Sequence, residues 1–184
     1  LEAAAALIQE GERAEGNSAF FGYVWQGNSY EGLTCDAHEW LVSATGNTFI
    51  TPEGEVNVNT PEFIAALEQA AGWVGTISPE AVTTFGEEDS RAVWQSGNAA
   101  FMRNWPYAYG LGNSEDSAVA GNFGYAPLPA GASGRAAACL GGWQIAVSAY
   151  SDNVDAAAFA AMFLASAEEQ KIRALSAQGP NPTI

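Results

Sequence analysis

Two short stretches constrain this chain more than any other feature. The first, Phe20 to Trp25 (FFGYVW), is aromatic and β-prone, and the turn Gln26-Gly27-Asn28-Ser29 follows it at once. Behind that turn Leu33, Ala37, Trp40, Leu41 and Ala44 recur at three-and-four spacing, which predicts an amphipathic helix over 30–44. The second, Ala99 to Asn104 (AAFMRN), repeats the arrangement as a strand running into Trp105-Pro106-Tyr107. Strands that alternate with helices imply a sheet covered by helices, so the expected class is α/β.

The rest of the chain fits that class. A helix is expected over 1–13, and it starts without a capping residue, as the middle of a longer element would. A hairpin turn is expected at Thr51-Pro52-Glu53-Gly54. Thr60-Pro61 supplies an N-cap and a first-turn proline for a helix reaching about Val74. A shorter helix is expected over 87–96, strands over 123–128 and along Ile145-Ala146-Val147, and two closing helices over 154–165 and 167–177 before Gly179-Pro180-Asn181-Pro182.

Charge narrows the partners. Twenty-one acidic against six basic side chains give a formal charge of −15. Nucleic acid and anionic membrane surfaces reward clustered Lys and Arg, so both are poor partners, and no apolar run reaches bilayer length. Cys35 and Cys139 lie far apart with a single His38, which is not a metal-ligand pattern, so no metal and no cofactor is expected. A disulfide between them and two unlinked buried thiols are both open readings.

The aromatics carry the chemistry. Six Trp, six Tyr and nine Phe are present, several beside glycines, prolines and amides where a strand ends. In open α/β sheets ligands bind beyond the carboxyl ends of the strands. A flat apolar ring flanked by amides and carboxylates suits a sugar, whose ring faces are apolar and whose rim is hydroxyls. Trp40, Trp73 and Trp94 sit at helical spacing and are assigned to the core. Trp105, flanked by Asn104 and Pro106, is assigned to a site, and Trp143 is open to either role. Glu31, Asp36 and Glu39 would neighbour one another on a helix, and paired carboxylates are what glycoside hydrolysis needs. Glu31 at a helix start equally complements the helix dipole, and Glu87-Glu88-Asp89 is read the same way.

The order FFGYVWQGNSYEGLTCDAHEW, VNVNTPEFIAALEQAAGWV, GNAAFMRNWPYAY, FGYAPLP and LGGWQIAVS closely resembles the extracellular solute-binding proteins of bacterial sugar ABC transporters. The nearest group is the trehalose/maltose/α-glucoside type, and the resemblance covers almost the whole chain. It implies part of a two-lobed periplasmic-binding (type II) fold: residues 1–128 as most of the second lobe, and 129–184 as a hinge-crossing strand and helices that return to the first. It also implies a non-catalytic subunit, periplasmic or extracellular, that captures an oligosaccharide and delivers it to membrane permease subunits without entering the membrane itself. A glucose-containing disaccharide is the expected ligand. By resemblance Trp105 is a stacking residue, and Gly141, Gly142 and Trp143 meet the sugar from the other side. Tyr30 stands at a cleft position, Gln26 and Glu31 are plausible hydroxyl partners, and Arg103 is a further candidate. The rivals are a glycoside hydrolase using Glu31 with Asp36 or Glu39, and a lobe with no binding activity of its own.

Overall fold

A computed structural model describes residues 1–176 of the 184-residue chain. The described residues divide into two compact units, 1–139 and from Leu140 onward, and each is treated by itself. In the first unit the order is α1 (Glu2–Ala14), β1 (Phe21–Val24), α2 (Glu31–Thr45), α3 (Pro61–Trp73), a 3-10 turn (Glu80–Thr84), α4 (Glu87–Gln95), β2 (Ala99–Met102) and α5 (Tyr107–Gly112). The two strands pair in parallel, with Phe21 opposite Ala99, Tyr23 opposite Phe101 and Val24 opposite Met102. Parallel pairing requires a long crossover, and here the crossover carries α2, α3 and α4. Both carboxyl ends therefore emerge on the same side, at Trp25-Gln26 and Arg103-Asn104.

Helix boundaries follow local chemistry. Thr60 caps α3 as expected, its hydroxyl accepting from the Phe63 N–H at 3.2 Å with Pro61 in the first turn. Gly46 ends α2 in the left-handed region, at φ 79°. The Thr51 turn is present, closed by an Ile50–Val56 antiparallel bridge. α5 was not expected from the sequence. Pro106 presets its first turn, and Gly110 and Gly112 hide the periodicity that would have marked it.

The core of this unit is aromatic. Trp25, Trp40 and Trp73 meet edge to face with centroids 5.2–6.4 Å apart, over Ala5, Tyr23, Ile77 and Val82. Trp94 packs with Val24, Ala99 and Phe123 in a second cluster. The assignment of Trp40, Trp73 and Trp94 to the core thus holds.

Two strand expectations fail. Residues 123–128 and 145–147 form no strand, and Tyr125 (87%) and Ile145 (52%) are exposed. A strand needs a hydrogen-bonded neighbour, and among the described residues neither segment has one. Residues 129–139 pack with the first unit, beside α2: the Ser133 hydroxyl donates to the Ser43 carbonyl at 2.6 Å. The second unit holds the two closing helices, α6 (Val154–Leu164) and α7 (Ala167–Leu175), which match the expected pair. Ser166 caps α7 through the Glu169 N–H. Residue 177 and the Gly179–Pro182 stop lie outside the described residues.

Candidate functional site

Beyond the carboxyl ends of β1 and β2, the turn after β1, the end of β2 and the start of α4 converge. A carboxylate joins them. Glu87 opens α4, and its Oε2 accepts from the Tyr30 hydroxyl at 2.6 Å. Its Oε1 accepts from the Trp105 indole N–H at 3.0 Å. The Asn104 side-chain amide donates to the Glu87 backbone carbonyl at 3.0 Å, while its Oδ1 accepts from the Trp105 backbone N–H at 2.8 Å. Burial works against ionisation of Glu87, but the hydrogen bonds from Tyr30 and Trp105 outweigh it and hold its carboxyl below the usual range. Burial and the Glu87 hydrogen bond push the Tyr30 hydroxyl well above its ordinary value, so it stays a donor. The Tyr107 hydroxyl makes the matching contact to Glu88 at 2.6 Å.

Beneath this clamp lies a buried polar network. Arg103 is 4% exposed, yet its guanidinium carbon stands 4.1 Å from the centroid of the Trp105 ring, a cation–π contact on one face. The guanidinium forks onto Glu39, at 3.0 and 2.6 Å, and donates to Gln26 Oε1 at 3.0 Å. Asp36 Oδ1 lies 2.9 Å from Arg103 Nε but off the hydrogen-bonding direction, so no hydrogen bond joins them. Its other oxygen accepts from the Gln26 N–H at 3.0 Å. Burial, opposed in part by Arg103, pushes the Asp36 carboxyl up to about 8. At neutral pH Asp36 therefore holds its proton.

Gln26 is wholly buried, and its amide is fully used. Its N–H2 donates to Ser90 Oγ at 2.7 Å and to the Arg103 carbonyl at 3.0 Å, while its Oε1 takes the Arg103 N–H. Gln26 and Arg103, expected to touch a ligand, are buried, and they support Trp105 and the strand ends. A backbone ending a strand inside the fold leaves polar groups that must be satisfied internally, and these side chains do so. Gly27 lets this turn pass the 3-10 segment, because a Cβ there would meet the Val82 carbonyl.

Tyr30 and Trp105 are thus brought together, with Glu87 between them. From its place at a helix start, Glu87 was expected only to complement the helix dipole. The signal that could have found it is its place, an acid opening a helix just before a strand that ends in Asn-Trp. Glu31 is the first residue of α2, exposed, and accepts from the Cys35 thiol at 3.0 Å. Asp36 and Glu39, the partners of Glu31 in the hydrolase reading, are both buried on Arg103. Gly141, Gly142 and Trp143 belong to the second unit. There Trp143 is 98% exposed, and open space surrounds the position a Gly142 Cβ would take. A cavity of about 480 Å³ lies elsewhere in the first unit, between Tyr23, Trp40, Trp73 and residues 128–132. Its polar wall includes Glu39, already committed to Arg103.

Comparison with known proteins agrees with this architecture. Residues 1–171 match the bacterial extracellular solute-binding protein family. A probable ABC transporter-binding protein of Deinococcus radiodurans is 55% identical over 96% of this chain, which spans 42% of that protein. The maltose-bound MalE3 of T. maritima superposes with a TM-score of 0.84 at 40% identity, covering 99% of this chain and 47% of that one. A solute-binding protein of Thermotoga lettingae bound with α-D-tagatose gives 0.79 at 24% identity, covering 97% and 44%, a likeness of fold alone. The chain therefore spans just under half the length of these relatives. Among the described residues no helix is long and apolar enough to cross a membrane. This α/β chain belongs to the bacterial extracellular solute-binding protein family.

Proposed function

We propose that the chain provides one side of a sugar-binding site, in the solute-binding subunit of an ABC importer. The carrying observation is the immobilised indole of Trp105. It is half-buried just beyond β2, backed by Arg103 at 4.1 Å and tethered at its N–H by Glu87. A ring held this way loses little freedom when a ligand stacks on it, which is the benefit of preorganisation. Tyr30, 36% exposed, and the carboxylates of Glu31 and Glu87 stand ready to exchange hydrogen bonds with hydroxyls. The acidic surround favours a neutral polyol over an anionic solute.

Gly141, Gly142 and Trp143, in their own unit, are further ligand-contacting residues in this reading: bare backbone for close approach and an exposed indole. The ligand in this reading is an oligosaccharide, a glucose-containing disaccharide. Binding closes a cleft around the hinge, and the closed form presents the sugar to membrane permease subunits outside the cytoplasm. No bond is broken. The maltose carried by the T. maritima relative supports this choice of ligand class. Isothermal titration of the chain against maltose, trehalose and sucrose, with each sugar recovered and analysed, tests the reading. Heat with at least one of them and intact sugar afterwards are expected; no heat with any sugar, or hydrolysis, overturns it.

A further inference from the structure

The two cysteines of the chain, 104 positions apart, meet in the first unit. Cys35 is a buried residue of α2, and Cys139 is the last residue of the segment packed beside that helix. The Cys139 thiol donates to the Cys35 carbonyl oxygen at 3.5 Å, which puts the two residues in direct contact. Each thiol is pushed up chiefly by burial. Cys139 does not drift into this position. Its N–H donates to Glu39 Oε1 at 3.0 Å, and six residues earlier the Ser133 hydroxyl is bonded to the Ser43 carbonyl. The approach is also tight at Gly131, where a Cβ would collide with the Ser43 carbonyl. Backbone and side-chain contacts along eleven residues, 129–139, thus hold one cysteine against the other before any covalent bond exists.

We propose that Cys35 and Cys139 are a disulfide-forming pair that covalently fastens the 129–139 segment to α2. The family's extracellular setting is oxidising, where such bonds form and persist. The oxidant is a disulfide-bonded donor acting by thiol–disulfide exchange. Cys139, the more exposed sulfur, loses its proton, attacks the donor disulfide and releases one donor thiol. The Cys35 thiolate then attacks the Cys139 sulfur of the mixed disulfide and releases the second donor thiol. Two protein thiols are oxidised, one donor disulfide is reduced to two thiols, and the protons end on the donor. Buried thiols with raised pKa react slowly, so the pair behaves as a structural fastener, with no role as a rapid redox sensor. The bond would secure the root of the chain immediately before Leu140-Gly141-Gly142-Trp143. This inference is independent of the sugar reading.

The test uses the whole chain, incubated with oxidised glutathione or with a phosphine reductant, then denatured, alkylated with iodoacetamide and weighed. The oxidised sample is expected to lose the mass of two hydrogen atoms and to take up no alkyl group. Peptide mapping is expected to join the Cys35 and Cys139 peptides. Two alkyl groups, stable glutathione adducts on both sulfurs, or chains linked only to one another would overturn the proposal. Closing a loop of this length also raises the melting temperature, by roughly 10 °C for a unit of this size. That shift should vanish in Cys35→Ser, and an equal redox-dependent shift in the variant counts against the pair. Should Cys35→Ser fail to fold, the alkylation count on the unmodified chain still decides.

Discussion

Arg103→Met removes the one cation from a buried cluster that holds two carboxylic groups, and its cost can be worked from the contacts. Arg103 forks onto Glu39, touches Asp36, donates to Gln26 and underlies Trp105. Its exposure is 4%, that of Glu39 5% and that of Asp36 1%, so water cannot replace the lost partner. Removing one member of a buried ion pair costs about 3–5 kcal/mol, most of it from the charge left unpaired. Asp36 already carries its proton near neutrality, having a pKa of about 8, so the unpaired charge falls on Glu39 alone. We therefore expect about 3 kcal/mol, the lower end of that range. Against a total stability of about 5–15 kcal/mol this is a large fraction. With a urea slope of about 1–3 kcal/mol/M, the midpoint should fall by at least about 1 M. The companion variant Arg103→Met with Glu39→Met removes the orphaned charge and should recover most of the loss. Urea unfolding followed by circular dichroism measures both. An unchanged midpoint in Arg103→Met, or a double variant weaker than the single one, would refute the view that this network is a buried support.

Two further outcomes follow from the same contacts. Glu87→Gln replaces an acceptor shared by Tyr30 and Trp105 with an amide that has one oxygen, so sugar affinity should fall about three- to tenfold, roughly 1 kcal/mol, with little change in urea midpoint; an unchanged affinity in titration would remove Glu87 from the site. The raised pKa of Asp36 means the folded state holds this proton more tightly than the unfolded chain, so its contribution to stability is complete below the unfolded value of 3.8 and is lost as pH rises through about 8. Urea midpoints should therefore decline between about pH 5 and about pH 9, and Asp36→Asn should flatten that decline.

The α/β class, most of the helices and the positions of β1 and β2 were legible because periodicity and capping are local signals. Thr60-Pro61 and the three-and-four spacing of α2 needed nothing from elsewhere in the chain. The strands expected at 123–128 and 145–147 failed because an apolar run becomes a strand only with a partner. The roles of Gln26 and Arg103 were hidden for a different reason. A polar residue at a strand end looks the same in sequence whether it faces a ligand or satisfies buried groups. Only the contact between Arg103 and Asp36 and Glu39, some sixty-five positions away, distinguishes the two. Glu87 was missed because an acid at a helix start has an adequate local explanation, and its bonds to Tyr30 and Trp105 are long-range.

The central claim, that Trp105 is a preorganised stacking surface for a sugar, is tested most directly by titrating the chain and its Trp105→Ala variant with maltose. Stacking on a fixed aromatic anchor should be worth about 2 kcal/mol or more, so the variant should bind at least about thirtyfold more weakly while its urea midpoint stays near that of the parent. Equal affinity in the two proteins would contradict the account.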